Sequence, residues 1–408
     1  MNTIKGSCII ISLLILLLIP ISSNYFSVIA NFYHLDEGNN PTQIDIDGNA
    51  EFIITASQQG WPGDGTESSP IQIKDLNIDF SFELQIHNTN LHFQFTDNTI
   101  ITDEKNSNIY FALFLDNVSN AEFSKNQITG FLNDPGVIVQ DSQDINILDN
   151  VLSFGGGGGI FLFNSSKILV KNNFISNQDQ SIDLYDSKNI SITENSFQHH
   201  ILGLCFAGDI ETVQITNNDF VNSSIDMDSY INLPYGFGVN ITGNTVNGKI
   251  LLLWRNQSNK LVPDNVGQVI LINSSNIEVS NQHFSLLNYG IFAYQSSYLQ
   301  IQQNGFYKIN EAAIKLESTN LSVITNNNIY DNEGSGFYSI GDSHNNSITS
   351  NNITLNKAGG IRISRSEKFL ISNNKIDQNS GTGISVYCSH KDKIESNLVT
   401  QNKYNGIY

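Results

Sequence analysis

A short motif made of a polar residue, Asn, any residue and an apolar residue recurs along this chain at nearly constant spacing. It ends, for example, at Phe174, Phe197 and Ile329. The apolar anchors fall about 23 residues apart, with three longer steps. They are Ile78, Ile100, Ile128, Val151, Phe174, Phe197, Phe220, Val246, Phe284, Phe306, Ile329, Ile353, Ile376 and Leu398. A fixed period of this length predicts a repeat fold in which each period is one structural unit.

The inside of each period reads as short strands separated by turns. Ile160 and Leu162 alternate with Phe161 and Phe163, and a turn rich in Asn and Ser follows. This alternation has a period of two, whereas a helix needs about ten or more residues at period 3.6. A leucine-rich repeat would show leucines at fixed positions in every period, which are absent here, and a propeller blade needs about 40 residues, so neither fold fits. The pattern therefore predicts an all-β fold, a parallel β-helix of about 14 coils with three short strands in each.

Asparagine is unusually frequent, with 56 residues in a chain of 408. Asn tolerates the left-handed backbone of turns and bonds to nearby main-chain groups. In a β-helix, equivalent Asn residues lie one coil apart, about 4.8 Å along the axis. We therefore expect their side chains to bond from coil to coil as a ladder. The motif assigns this ladder to Asn172, Asn195, Asn327, Asn351 and Asn373.

The formal net charge is −19, and only 20 Lys and Arg residues are spread along the chain. Phosphate backbones are bound by basic patches, so no nucleic-acid partner is expected. Cys205 and Cys388 would lie seven coils apart, about 34 Å by strand spacing. A disulfide needs Cα atoms within about 7 Å, so the two are predicted not to be bonded.

The termini suggest how the chain is organised. Residues 1–30 read as a signal peptide, with an N-terminal membrane anchor as the alternative, and they predict a secreted or cell-surface protein. Residues 31–70 are expected to cap the first coil, because an open solenoid end exposes strand edges. Residues 71–408 form the predicted β-helix, with an insertion near 247–270. The last five residues look like the start of another coil, either truncated or covered by a partner chain.

Three stretches carry a family resemblance: Ile44–Phe52, Gly63–Ile78 and Gly243–Asn281. Together with the Asn-turn repeat, they resemble the right-handed parallel β-helix repeats of NosD-like proteins, often archaeal surface proteins. That superfamily also includes carbohydrate-binding and sugar-hydrolase β-helix domains. The resemblance covers about residues 44–408 and implies a right-handed β-helix outside the cytoplasm.

NosD itself is associated with copper delivery. Copper sites use clustered Met, Cys and His, whereas the His residues here are scattered, apart from His199-His200 and the pair His87 and His92. We therefore predict no metal site and no cofactor, and keep copper delivery only as a second alternative function.

The repeat register allows the outward face of the first strand in each coil to be written as two columns. In the second half of the chain, one reads Phe292, Lys315, Tyr338, Arg362 and Ser385. The other reads Tyr294, Glu317, Ile340, Ser364 and Tyr387. Exposed aromatic side chains on a regular face are typical of interaction sites.

From these columns we predict a binding site for a polysaccharide or a surface protein. Its candidate ligand-binding residues are Tyr294, Tyr338, Tyr387, Trp254 and Arg255, the last two from the predicted insertion. The competing interpretation is that the insertion folds over this face and buries it for stability alone.

The alternative function is a polysaccharide lyase, epimerase or hydrolase. A lyase or epimerase needs a cation beside the uronate and a base for its C5 proton, for which Lys315, Glu317 and Arg362 are the candidates. A hydrolase needs two carboxylates, for which Asp226 or Asp228 would have to approach Asp183.

Overall fold

The computed structural model describes residues 42–79, 82–101, 111–130, 136–154, 158–176, 180–199, 202–226 and 238–408. The predicted signal segment, the first part of the predicted cap, His200 and Asp228 lie outside these ranges. The chain is a right-handed parallel β-solenoid of about 13 turns, as predicted. It divides into two compact units, the first holding most residues up to 195 and the second most residues from 240 onward.

The strands of the first unit are numbered in chain order. They are β1 (Thr42–Asp47), β2 (Ile71–Lys74), β3 (Asn77–Asp79), β4 (Phe82–Thr89), β5 (Phe93–Thr96), β6 (Thr99–Ile101), β7 (Leu113–Ser124), β8 (Gln127–Gly130), β9 (Val137–Gln140), β10 (Gln143–Leu148), β11 (Val151–Phe154), β12 (Gly158–Phe163), β13 (Ser166–Lys171), β14 (Phe174–Ser176), β15 (Gln180–Tyr185) and β16 (Lys188–Thr193). β18 (Leu202–Ala207), β19 (Glu211–Thr216) and β21 (Val239–Thr242) contain residues of both units.

The strands of the second unit follow the same numbering. They are β17 (Ser196–Gln198), β20 (Asp219–Val221), β22 (Thr245–Val246), β23 (Lys249–Arg255), β24 (Ser258–Leu261), β25 (Val266–Ile272), β26 (Ser275–Ser280), β27 (His283–Tyr294), β28 (Gln300–Gln302), β29 (Gly305–Glu317), β30 (Val323–Thr325), β31 (Asn328–Tyr330), β32 (Ser335–Ile340), β33 (Ser347–Thr349), β34 (Asn352–Thr354), β35 (Gly359–Ser364), β36 (Leu370–Ser372), β37 (Lys375–Asp377), β38 (Thr382–Tyr387), β39 (Lys393–Glu395) and β40 (Leu398–Thr400).

One helix, α1 (Asn49–Gln59), lies between β1 and β2. It buries Phe52 and Ala56, and the Phe52 ring meets that of Phe93 edge-on, with centroids 5.1 Å apart. Gly60 ends the helix with a left-handed φ of 73°, a conformation that costs glycine little. In the described part of the chain, no helix is long and apolar enough to cross a membrane.

Parallel pairing places the predicted inward residues on top of one another. Ile160 pairs with Ile182, and Ile291 pairs with Ile314 in the next coil. All four are buried, with exposures of 1 % or less. Each stack of apolar side chains is continuous from coil to coil, so a coil alone would leave its core uncovered.

Three predicted anchors are wrong by one residue. Val151, Phe174 and Leu398 occupy the position beside the inward one, and Val151 and Leu398 are largely exposed. The inward residues are Leu152 and Ile175, both fully buried. The motif cannot distinguish the two because both members of each pair are apolar, and strand parity fixes which one faces the core.

The Asn ladder exists, and it corrects two of its predicted members. Asn195, Asn327 and Asn351 are buried in it, as predicted. Asn172 and Asn373 instead sit one residue earlier, exposed and with left-handed φ values of 57° and 56°. The ladder is formed in the first unit by Asn98, Asn126, Asn150, Asn173 and Asn195, and in the second by the pair Asn218 and Asn244 and by Gln282, Asn304, Asn327, Asn351, Asn374 and Asn397.

The stretch near 247–270, predicted as an insertion, contributes strands to the solenoid. β23 pairs in parallel with β25, and β24 pairs in parallel with β26. The side chains of Asn256 and Asn273, 17 residues apart, are hydrogen-bonded at 2.7 Å. The long step in the repeat is therefore an additional, shortened coil. Cys205 and Cys388 form no disulfide, as predicted.

Candidate functional site

The two outward columns of the second unit have the predicted register. Phe292, Lys315, Tyr338, Arg362 and Ser385 pair in succession through β27, β29, β32, β35 and β38. The same strands align Tyr294, Glu317, Ile340, Ser364 and Tyr387. The candidate residues of these strands therefore lie on one side of one sheet, as the sequence predicts.

Lys315 and Phe292 are not exposed, although their column faces outward. Lys315 is 5 % exposed and Phe292 is fully buried. The Lys315 ammonium lies 5.3 Å from the ring centre of Tyr289, 5.5 Å from Phe292 and 5.7 Å from Tyr338. Three aromatic rings therefore enclose this cation and replace part of its hydration by cation–π contacts.

Charged groups complete the enclosure around Lys315. Glu317 Oε2 is 3.8 Å from its ammonium, and the Asp226 carboxylate acts on it electrostatically. Burial lowers the pKa of Lys315 to about 8, although both carboxylates oppose this change. Burial also raises the pKa of Asp226 to about 6, with Lys315 opposing it. The pKa of Tyr289 is raised well above its usual value by burial and by nearby carboxylates.

Asp226 reaches Lys315 through a buried segment, residues 223–226, that was predicted only as part of a long repeat step. The Asn288 backbone N–H donates to Ser224 Oγ at 3.0 Å, and Gln268 Nε2 donates to the Ile225 carbonyl at 3.4 Å. These bonds attach the segment to β25 and β27, so Asp226 belongs to the Lys315 cluster. We define that cluster as Asp226, Tyr289, Lys315 and Glu317.

Arg362 is exposed at the edge of the cluster. Its guanidinium carbon lies 5.0 Å from the ring centre of Tyr338, and it makes no ion pair with the described residues. Because Lys315 and Arg362 are the register neighbours of Tyr338 on either side, this ring lies between two cations. Tyr338 therefore supports Arg362 and does not offer an open face to a ligand.

Arg365 is a further cation at this edge that the sequence reasoning missed. It is an exposed corner residue with a φ of 50°, and its charge acts on both Glu317 and Tyr338. The spacing Arg362-x-x-Arg365 was visible in the sequence. Because a corner residue belongs to neither strand column, the two predicted columns do not include Arg365.

The two other tyrosines differ in exposure. Tyr387 is 59 % exposed at the end of β38. Tyr294 is half-buried, and its hydroxyl accepts a hydrogen bond from Gln295 Nε2 at 3.1 Å. Burial, together with Glu317, raises the pKa of Tyr294. Glu317, Ile340 and Ser364 separate the two tyrosines along their column.

The structure separates the predicted pair Trp254 and Arg255. Arg255 pairs with Ile272, which pairs with Tyr294, so Arg255 continues the second outward column. Trp254 pairs with Leu271, which pairs with Ala293, so it is in register with the buried, inward residues and lies in neither outward column. The Lys260 ammonium lies 5.3 Å from its ring centre. Only Arg255 therefore shares the column of the candidate tyrosines.

The described ranges contain no group of three or more His, Cys, Asp or Glu side chains that could hold a metal ion. His87 lies between Asp45 and Asp116, with N–O distances of 3.6 and 3.5 Å. Its hydrogen bond with Asp116 raises the pKa of the imidazole, which favours a cationic ring over a metal ligand. In the described chain, the donor set therefore does not match the grouped His, Cys and Met ligands that copper prefers.

Comparisons with solved structures find other β-helix proteins. The periplasmic alginate epimerase AlgG is 9 % identical over 87 % of this chain and 83 % of its own, with a TM-score of 0.30. The A-module of the mannuronan C-5 epimerase AlgE6 of Azotobacter vinelandii is 11 % identical, over 86 % and 93 %, with a TM-score of 0.31. An alginate lyase from Paenibacillus is 13 % identical, over 62 % and 94 %, with a TM-score of 0.30.

Two family models match the sequence in succession. Residues 267–408 match the model described as right handed beta helix region, and residues 43–248 match the one described as periplasmic copper-binding protein (NosD). No curated protein matches the chain. Since the second model spans just over half of the 408 residues, and the fold is the one that the resemblance implied, the chain belongs to the NosD family.

Proposed function

We propose that this protein acts outside the cytoplasm as a β-helix that binds carboxylated glycans at the surface around Arg362. One observation carries the proposal: Arg362 is exposed, rests on the Tyr338 ring and has no ion-pair partner among the described residues. In a chain with 39 acidic and 20 basic residues, an arginine left without a carboxylate is available for an anionic ligand.

The surroundings of Arg362 suit a sugar carboxylate. A guanidinium binds a carboxylate with two parallel hydrogen bonds, and stacking on Tyr338 limits its orientations before binding. Arg365 adds a second exposed cation three residues along. Tyr387, one coil further on, offers exposed aromatic surface to the apolar face of a sugar ring.

The proposed location rests on two features. The family description names a periplasmic protein, and residues 1–30 read as a secretory signal or an anchor. Glycans with carboxylate groups are then accessible to the Arg362 surface.

The alternative functions have less support in the geometry. The Lys315 side chain is 6 % exposed within three rings, so a polysaccharide on the surface does not contact its amine. Lys315 is therefore not presented to a substrate as the general base that a lyase or epimerase needs. Copper delivery is disfavoured because the described His and Cys side chains do not converge.

The test is calorimetric titration of the protein with oligogalacturonate and with a neutral oligosaccharide of equal length. We expect an Arg362→Gln variant to bind the acidic chain about tenfold more weakly than wild type, which corresponds to about 1.4 kcal/mol, and to bind the neutral chain as wild type does. Lys393→Gln is the matched control, because it removes an exposed charge from β39, in a different sheet. No loss of acidic-chain affinity in Arg362→Gln, or an equal loss of affinity for the neutral chain, would refute the proposal.

A further inference from the structure

The first unit contains a groove of about 860 Å³ that none of the predicted site residues lines. It follows one corner of the solenoid through six successive coils, from Asn88 to Asp209. Among the described residues that line it, Val118 is the only apolar one. A polar groove of this length along the axis suits an extended ligand, and it differs from the Arg362 surface in unit, position and charge.

The groove follows from the way the chain turns this corner. In the coil at Asn164, that residue and Lys167 have left-handed φ values of 46° and 54°, and Ser165 between them is buried. Ser165 Oγ accepts the Ser142 backbone N–H at 3.2 Å, and Ser142 Oγ accepts that of Val118 at 3.0 Å. The inward residues are small and bonded to the backbone, so the side chains on either side form two parallel rows, which we call banks. The second bank consists of Asn90, Ser119, Gln143, Ser166, Lys188 and Glu211.

The banks repeat one polar side chain per coil, about 4.8 Å apart. The first bank consists of Asn88, Asn117, Asp141, Asn164 and Asp186. Two neighbouring pairs of this bank are hydrogen-bonded along the axis: Asn117 Nδ2 donates to Asn88 Oδ1 at 2.7 Å, and Asn164 Nδ2 donates to Asp141 Oδ1. These links fix amide and carboxylate groups in a row before any ligand arrives, which reduces the entropy cost of binding.

The charges of the groove select against anions. In the part of the lining that the structure describes, four carboxylates, those of Asp141, Asp186, Asp209 and Glu211, stand against one cation, Lys188. Burial raises the pKa of Asp186, and the nearby Asp209 charge acts in the same direction. A uronate or sulfate would be repelled here, whereas a hydroxyl or an ammonium group would find acceptors.

The backbone around the groove is not available to a peptide strand. The Asp141 N–H donates to the Phe163 carbonyl at 3.0 Å, and the Asn164 N–H to that of Tyr185 at 2.9 Å. Peptides bind to sheets by adding a strand to free backbone groups, or through apolar pockets. The groove offers neither, whereas side-chain amides, carboxylates and hydroxyls are suited to the hydroxyl groups of sugars.

We infer that this groove binds an extended glycan without negative charge, and that it prefers one that carries free amino groups. The inference does not depend on the Arg362 site, which requires the opposite ligand charge. An amino-sugar chain would place hydroxyls against the Asn side chains and ammonium groups against the carboxylates of the banks.

The experiment is calorimetric titration with three oligosaccharides of equal length: glucosamine, N-acetylglucosamine and galacturonate oligomers. The Ser166→Trp variant obstructs the groove, and Asn146→Trp places the same bulk at an exposed position of β10 outside it. A double variant, Asp209→Asn with Glu211→Gln, removes two groove charges. Glu67→Gln with Asp264→Asn removes two exposed charges elsewhere.

We expect affinity to fall from the glucosamine to the N-acetylglucosamine oligomer. Ser166→Trp should weaken both at least tenfold and leave galacturonate binding unchanged. The groove-charge variant should lower glucosamine affinity about threefold to tenfold, and both control variants should behave as wild type. The charge variant keeps the test decisive if Ser166→Trp does not fold.

Three results would overturn the inference. The first is that neither uncharged nor amino oligosaccharide binds, and the second is that the charge control weakens glucosamine binding as much as the groove-charge variant does. The third is that oligolysine of equal charge binds as tightly and loses as much affinity in Ser166→Trp, which would make the groove a general cation site.

Discussion

The Asn ladder and the Lys315 cluster are both polar and buried, but they differ in charge and in whether they repeat along the chain. In the ladder, Asn150 Oδ1 accepts the Asn126 backbone N–H at 2.9 Å, and its Nδ2 donates to the Phe123 carbonyl at 2.9 Å. The arrangement recurs once per coil and carries no charge. Within the described ranges the cluster occurs once; it holds two carboxylates and an ammonium, and burial shifts the pKa of each of them.

Repeated burial of neutral amides builds the fold, whereas the cluster is an addition that the fold does not require. Other coils fill the Lys315 position with Ile270, Phe292 or Ser385 and remain in register. Burying charges has a large desolvation cost, which mutual attraction offsets only in part. A feature that is costly and unnecessary for folding calls for a functional explanation, such as the support of Arg362 through Tyr338.

Among the variants that test this contrast between ladder and cluster, Lys315→Ala is expected to lower the stability most. It removes the cation from two carboxylates and three rings and leaves Asp226 buried without it. We expect the free energy of unfolding to fall by about 3–5 kcal/mol, the range for breaking one side of a buried pair. Chemical denaturation followed by circular dichroism measures this loss.

The double variant Lys315→Met with Asp226→Asn serves as the control. It removes both charges and keeps similar side-chain volumes, so its stability should lie within about 1.5 kcal/mol of wild type. A double variant as unstable as Lys315→Ala would show that the charges are needed for folding, and the contrast with the ladder would fail.

A smaller effect is expected in the ladder, where neighbouring residues provide the contrast. Asn173→Ala should cost about 1–3 kcal/mol, because it leaves the Asn150 N–H and the Ile147 carbonyl buried without a partner. Asn172→Ala, at the exposed left-handed position, should cost about 1–2 kcal/mol, mostly from backbone strain, because the hydrogen bond that its side chain donates to Asp149 is exposed. Asn172→Gly relieves this strain and should recover most of the lost stability. If Asn172→Gly lowers the free energy of unfolding as much as Asn173→Ala does, the assignment of Asn173 and not Asn172 to the ladder is wrong.

The pair Asn172 and Asn173 also shows how far the sequence determines the structure. The period, the inward strand residues and the existence of an Asn ladder follow from the repeat, because every coil must stack on the next. The exact ladder residue does not follow where two asparagines are adjacent. Only the corner geometry decides which side chain turns inward.

The composition of the Lys315 cluster could not be predicted from the sequence. The repeat predicts that Lys315 faces outward, and it does, but the sequence gives no sign that residues 223–226 reach it. That segment lies in an irregular step, so its position depends on tertiary contacts with Asn288 and Gln268. The groove was missed for a related reason, since its residues appear in the sequence only as ordinary turn residues.

The smallest expected effect is a pH dependence of stability, which the charged cluster should show and the neutral ladder should not. The folded-state pKa of Asp226 is raised, so its contribution to stability is fully present below about pH 4 and is lost as pH rises through about 6. The folded-state pKa of Lys315 is lowered, so its contribution is present above about pH 10.5 and is lost as pH falls through about 8. The cluster should therefore be least favourable between about pH 6 and pH 8.

This expectation is best measured as a difference between variants, because many other carboxylates also titrate. From pH 7 to pH 5, wild type should gain about 1 kcal/mol relative to the uncharged double variant, since one pKa unit corresponds to about 1.4 kcal/mol. The penalty of Asn173→Ala should stay constant over the same range, because an amide does not titrate. Thermal unfolding of the three proteins at both pH values provides the test. A wild-type advantage that shrinks towards pH 5 would mean that Asp226 is ionised and stabilising in the fold, and the cluster would then resemble the ladder as a structural element.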